Sequence, residues 1–266
     1  MLLSNLEYIS LRLLRRFIFS DAFLLRWGRL LPYYRTNTNQ TDPEPIVSEY
    51  ARHLPPDFRV QSVLEIGVGA TNSTGYELAA RIPTARLTLL EPFVSLDEAA
   101  DKGLLAAIAR RHAIDPADLS RRVERINNLG DIPPHHFDLI LSSSVLEHVS
   151  DPARLFSDLK RVLQLQGRMV HLVDYRDHFF KYPFHFLQFS RAVWMRWLNP
   201  GDLLRWRAYD HRDLLHAAGF SVTLAEVRYD EAAFSRISAR LSPDFRREDP
   251  LTSATYAAIV ARPKSP

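Results

Sequence analysis

Apolar residues along this chain keep two rhythms. Short, mostly apolar runs occupy 63–66, 87–90, 137–141 and 168–173, and more broken strand-like stretches occupy 123–126, 220–227 and 253–261. Such runs predict buried strands, because β-branched and aliphatic residues fill both faces of a covered sheet. Between them lie stretches with helical spacing at 46–54, 76–81, 95–112, 115–119, 151–163 and 210–218. Their ends carry the expected punctuation. Asp97, Glu98 and Asp101 crowd one first turn, Asp151 and Pro152 open another, and Gly219 closes the last. Ser142 to Ser144 reads as a small-residue turn after the fourth strand, and Gly167 as the stop between helix and fifth strand. Strand and helix in alternation predict a doubly wound α/β sheet, mostly parallel, with helices on both faces.

The run at 63–66 ends in Gly67-Val68-Gly69 and leads into a helix. Strand, glycine turn and helix present backbone N–H groups to a ligand at the carboxyl end of a sheet. A dinucleotide fingerprint requires a third glycine at 72, where the chain has Asn. Its acid, Glu65, precedes the glycines instead. Glu91 follows 26 residues later, at the tip of the second strand. A carboxylate there can accept from two adjacent ribose hydroxyls.

Composition narrows the field. The 266 residues are 46% hydrophobic, enough for one large domain with additions. Cysteine is absent, which removes disulfides, thiolate metal sites and cysteine nucleophiles and fits a cytoplasmic protein. A net charge of +3 gives no global field for nucleic acid, and no Asn-Pro-Pro-Tyr-like motif is present. No run of 18 apolar residues occurs, and no signal-peptide pattern opens the chain.

Charge is concentrated at one end. Residues 1–35 hold six arginines against two acids, a local +4. Helical spacing puts Leu2, Leu6, Ile9, Leu13 and Phe17 on one face, opposite Arg12, Arg15 and Arg16. Such a helix either rests through residues 1–30 on an anionic membrane, at its inner face, or packs across its own domain. Residues 1–45, ending in a polar loop at 36–45, are read as an extension and linker to a domain at 46–266. Residues 177–208 form an aromatic-rich insertion: a cap over a substrate, a membrane-touching surface, or a helical subdomain with its own core.

Glu65-Ile66-Gly67-Val68-Gly69 resembles motif I of the class I S-adenosylmethionine-dependent methyltransferases, with Thr71 where that family has a third glycine. The run Phe137-Asp138-Leu139-Ile140-Leu141-Ser142-Ser143-Ser144-Val145-Leu146-Glu147-His148-Val149 resembles motif IV of its small-molecule, methyltransferase type 11-like branch. The resemblance covers roughly residues 58–175. It implies a Rossmann-like, seven-stranded sheet whose last strand is antiparallel, with S-adenosyl-L-methionine as cofactor. It also implies cofactor contacts from Glu65, Gly67, Gly69, Glu91, Asn128 and Ser143, with Asn127 and Asp131 as neighbouring candidates for the adenine. Methyl transfer to a small-molecule acceptor follows, here an oxygen of a glycan, lipid-linked or secondary-metabolite substrate. A silent binding scaffold or regulator is the alternative that Thr71 and the Asn-for-Asp exchange leave open.

A hydroxyl acceptor needs a base within reach. His178, His148 and Asp177 follow the fourth and fifth strands and are the candidates, with Tyr175, Tyr182 and His185 on the acceptor side. No His/Asp/Glu set has metal-ligand spacing along the chain, so no metal is expected.

Overall fold

In the computed structural model the described residues are 2–20, 23, 26, 27, 30, 42–178, 181–199, 201, 203–245 and 248–264. The expected linker at 36–45 therefore lies largely outside them, as do Arg29, Arg35, Phe179 and Phe180.

Seven strands form one sheet: β1 (Ser62–Ile66), β2 (Arg86–Leu90), β3 (Val123–Ile126), β4 (Phe137–Ser143), β5 (Leu163–Asp174), β6 (Phe220–Tyr229) and β7 (Ala254–Pro263), in the order β3-β2-β1-β4-β5-β7-β6. All neighbours pair parallel except β7, which runs antiparallel to both β5 and β6. The chain leaves β1 towards one edge and returns at β4 towards the other. The crevice at the carboxyl ends of β1 and β4 is thus a topological switch point, where open α/β sheets bind ligands.

Two apolar layers cover the sheet. Helices α2 (Glu44–Arg52), α3 (Ser73–Arg81), α4 (Glu98–His112), α5 (Pro116–Ser120), α6 (Pro152–Val162) and α7 (Ala208–Ala217) flank it in chain order, and α1 (Leu2–Phe17) packs apart from both layers. On one face Val47 and Tyr50 of α2, Leu78 of α3 and Ile108 of α4 pack against Val63, Leu87 and Leu141. On the other, Phe156 and Leu159 of α6 and Leu215 of α7 pack against Leu64, Ile140 and Met169. Acidic caps fix the starts: Asp97, Asp115 and Asp151 accept from Ala100, Ala117 and Arg154 backbone N–H groups.

Two sequence expectations shift here. Ser142 and Ser143 continue β4 instead of turning, because Ser142 is fully buried and its hydroxyl meets His171 Nδ1 on β5 at 2.7 Å. Helix α6 stops at Val162, not at Gly167. Gly167 lies inside β5, beside a register shift in which Phe137 and Leu139 face Leu163 and Arg168. A Cβ at Gly167 would stand 2.6 Å from Leu163 Cδ1 and 3.0 Å from Asp138 O, so glycine permits this close return of the strand.

The largest correction concerns α1. Leu6 and Phe17, expected on its inner face, are 66% and 58% exposed, while Tyr8 and Arg12 are buried. Tyr8 packs with Tyr182, Phe184, Phe186, Trp194 and Leu198 in a third apolar cluster, separate from the two sheet layers. Its ring stacks on Phe189 at 5.9 Å, and Arg12 lies over Trp194 at 5.3 Å. The reason is a distant acid. Asp177, in the loop after β5, is fully buried, forms an ion pair with Arg12 and accepts a short hydrogen bond from Tyr8 Oη. A buried carboxylate needs such partners, and this need overrides the helix's own periodicity.

The substitution Arg12→Ala leaves that carboxylate buried without its cation. It should destabilise the fold by roughly 3–5 kcal/mol, the usual cost of breaking one side of a buried ion pair. Urea denaturation of the variant against the parent measures it; a change under about 1 kcal/mol, the usual size for an exposed pair, contradicts the assignment.

Candidate functional site

The glycine turn is held from three sides. Gly67 has φ +72° and Gly69 φ +69°, both in the left-handed region that favours glycine. A Cβ on Gly67 would lie 2.4 Å from Val145 Cγ2, so the residue lets the loop after β4 close against the end of β1. Nothing lies within 4 Å of the corresponding point at Gly69, which faces open space. Gly67 N–H donates to Leu90 O at 2.8 Å, and Gly69 N–H to Glu91 Oε2 at 2.9 Å.

Arg125 on β3, which sequence reasoning missed, clamps the same turn. Its guanidinium donates to Gly69 O at 2.6 Å, Val94 O at 2.8 Å and Asn72 Oδ1 at 3.0 Å. Asp101 of α4 accepts from Asn72 N–H at 2.6 Å and Tyr76 Oη at 2.8 Å. The signal was faint: one arginine in the half-buried pattern of β3, and one acid in a helix start that also suits the helix dipole.

Glu65 is 3% exposed at the tip of β1. Tyr50 Oη donates weakly to Oε1 at 3.4 Å, while Oε2 is buried with no hydrogen-bond partner among the described residues. Burial raises its pKa from 4.5 to about 7, against the nearby hydroxyls of Thr74 and Tyr50, which lower it. Glu91 is also buried, and already accepts from the Gly69, Phe93 and Val94 N–H groups. The two acids stand at the tips of paired strands, and β1 carries Gly67 between them in the chain.

The remaining expected cofactor residues sit further along the edge. Asn128 is exposed in a tight turn after β3, its amide oxygen accepting from Gly130 N–H at 2.9 Å and its nitrogen donating to Asn127 Oδ1 at 2.8 Å. Ser143 ends β4, half-buried, just before Ser144 at φ +54°.

Past Ser144 the chain reaches Glu147 and His148, and the loop after β5 brings His178 beside them. The imidazole rings of His148 and His178 lie 4.9 Å apart, centroid to centroid. Glu147 is 2% exposed; Oε1 accepts weakly from Asp174 N–H at 3.4 Å, and Oε2 is buried with no hydrogen-bond partner among the described residues. Burial, with the nearby Asp174 charge, raises its pKa to about 8. One ligand atom from each of Glu147, His148 and His178 lies within 4.8 Å of the others. Chain spacing concealed this set, since adjacent strand ends, not sequence, unite positions 148 and 178.

Other expected residues turn inward. Asp177 anchors α1 and has no exposed surface, so it offers no base to an acceptor. Tyr175 points into the core, where its hydroxyl meets His211 Nδ1 at 2.8 Å. Tyr182 is buried against α1 and paired with Glu7, and His185 packs 4.4 Å from its ring. Burial lowers the His185 pKa to about 4. Arg207, unmarked by any motif, is wholly buried and donates to Tyr175 O at 2.6 Å and Thr252 O at 2.8 Å, tying the β5 loop to β7.

Known proteins resemble this chain in sequence and in fold. A family model described as a methyltransferase domain matches residues 64–171. A ubiquinone biosynthesis O-methyltransferase of Neisseria meningitidis is 25% identical over 163 residues, covering 56% of this chain and 62% of that protein's length. Among solved structures, the [4+2]-cyclase SpnF superposes with a TM-score of 0.51 at 18% identity, over 84% of this chain and 82% of the other. Phosphoethanolamine N-methyltransferase 2 of Haemonchus contortus, solved with S-adenosyl-L-methionine, gives 0.51 at 14% identity over 94% of this chain and 59% of the other. At those identities the structural likeness is one of fold.

Glu65 supplies a pH test. Its native pKa lies above the unfolded value, so the ligand-free fold holds a proton that the unfolded chain releases between 4.5 and about 7. That contribution is complete below the unfolded pKa and is lost as pH rises through the native one, on the order of 3 kcal/mol in all. Glu65→Gln should therefore be more stable than the parent above neutrality by more than it is near pH 4.5. Urea midpoints across that range check it; parallel pH profiles would contradict it.

Proposed function

We infer that this chain, a member of the class I S-adenosylmethionine-dependent methyltransferase family, transfers a methyl group to an oxygen of a small amphiphilic acceptor, glycan-like or lipid-linked. When bound, the cofactor supplies an electrophilic methyl group on a sulfonium. The single observation that carries the reading is Glu65: a buried carboxylate with an unpartnered oxygen beside an open glycine turn, the complement of an ammonium group. Glu91, with lone pairs left after three backbone contacts, suits ribose hydroxyls. On the family resemblance Asn128 is assigned to the adenine side and Ser143 to the cofactor.

His178 and His148 are the groups to receive or orient the acceptor's hydroxyl proton, since both are half-buried at the carboxyl edge. An imidazole has the proton affinity for this near neutrality.

Labelled cofactor incubated with glycan and lipid extracts tests the transfer. Label in a small organic-soluble product is expected, and His178→Ala should lower its formation by roughly 10²–10⁴-fold, the usual worth of a general base. Binding of S-adenosylhomocysteine should survive that change. Label in protein or RNA alone contradicts the acceptor class, and binding without any transfer favours a silent scaffold.

The same reading brings the protein to the inner face of an anionic membrane, where such acceptors reside. No described helix is long and apolar enough to cross a membrane. Support comes from an exposed aromatic and cationic face: Phe17 is 58%, Ile18 67% and Trp197 44% exposed. Arg16 lies 5.6 Å from the Phe17 ring and Arg196 5.1 Å from that of Trp197. Aromatic rings at the headgroup level with basic neighbours favour anionic lipid. Phosphatidylglycerol vesicles should sediment the protein, and salt or the double change Phe17→Ser with Trp197→Ser should release it; equal retention on neutral vesicles contradicts this.

A further inference from the structure

We propose that Glu147, His148 and His178 hold a divalent transition-metal ion whose open positions receive the acceptor's hydroxyl oxygen. The proposal rests on the reading of the crevice as an acceptor site and deepens it.

The donor set is two imidazoles and one carboxylate, on the ends of β4 and β5 that face the acceptor side. This combination suits zinc, iron or cobalt better than magnesium, which prefers an all-oxygen shell. Three protein ligands also leave coordination positions for a substrate, as structural four-ligand sites do not. The three donor atoms lie within 4.8 Å of one another. Ligands about 2.0–2.2 Å from a tetrahedral ion stand roughly 3.5 Å apart, so rotation of the two half-buried imidazoles has little distance to close.

The independent observation is Glu147 Oε2. It is buried with no hydrogen-bond partner among the described residues, and a carboxylate oxygen of Glu147 lies within 4.8 Å of a ring nitrogen of each histidine. A nearly unexposed carboxylate oxygen left in this way is costly unless a cation answers it. A second set, Glu49, His53 and Glu226, meets the same distance limit but shows the contrast. There Glu49 is already paired with Arg52 and Arg228 and accepts from Tyr256 Oη at 3.0 Å, while Glu226 pairs with Arg228. That cluster has its cations, whereas among the described residues Glu147 forms no ion pair.

A cation at this point would act as a Lewis acid. With the ion bound, the imidazoles orient the acceptor oxygen through it instead of taking its proton: the oxygen keeps its electron pair as ligand, the O–H bond breaks, and the proton passes to solvent water, leaving a stronger nucleophile.

Cobalt(II) titration of the full-length protein, after chelator treatment, tests the site directly. Visible d–d bands saturating at one equivalent per chain are expected, lost in Glu147→Gln and in His178→Ala and retained in His53→Ala. Circular dichroism and S-adenosylhomocysteine binding report whether each variant is folded. Should a variant misfold, paramagnetic shifts of the His148 and His178 ring protons in the parent protein decide the matter instead. No bands and no shifts, or bands unchanged by both substitutions, overturn the proposal. S-adenosylhomocysteine binding unaffected by chelator separates that failure from failure of the methyltransferase reading.

Discussion

A carboxylate taken out of water must find a cation, find donors or hold a proton, and the arrangement of this molecule follows from that constraint. Most of its buried acids are answered within the chain. Glu77, with no exposed surface, is met by Arg81 at 2.8 Å and His112 at 3.0 Å. Asp101 takes the Asn72 amide and the Tyr76 hydroxyl, and Asp177 takes Arg12 and Tyr8. Glu65 and Glu147 each keep one buried oxygen unanswered, and both stand on the carboxyl side of the sheet around its switch point. Their raised pKa values are the same fact in another form: without a cation, each site favours the neutral acid.

The arrangement also links the N-terminal helix to the chemistry. His178 follows Asp177 directly, and Asp177 is fixed by two side chains of α1. The aromatic cluster under that helix, with Trp194 and Phe186 at its centre, therefore helps to set the position of the loop bearing the histidine. Arg207 secures the base of the same loop through Tyr175 O. One side of α1 is thus committed to the domain, while Phe17 and Ile18 remain exposed.

Much of the sheet was legible before any coordinates. Apolar runs marked the inner strands, because a covered sheet demands apolar residues on both faces, while β3 and β6, partly exposed at the sheet edges, showed only broken ones. The glycine turn and Glu91 were legible because glycine at positive φ and an acid at a strand tip leave a local signature. The inward face of α1 was misread: periodicity ranks Arg12 as solvent-facing, and its partner lies 165 residues away. Arg125, Arg207 and the juxtaposition of Glu147 with His178 escaped for the same reason. Each depends on strand order, and sequence spacing carries no record of which strand ends meet. Ser142, read as turn, continues β4 because a buried histidine on β5 satisfies its hydroxyl.

The central claim is that Glu65 receives the ammonium of a sulfonium nucleoside and ionises as it does so. Calorimetric titration of S-adenosylhomocysteine near pH 7, repeated in two buffers of unequal ionisation enthalpy, measures that event most directly. The account predicts saturable binding with net proton release, the release disappearing in Glu65→Gln. Absence of binding, or binding with the same proton balance in parent and variant, would contradict it.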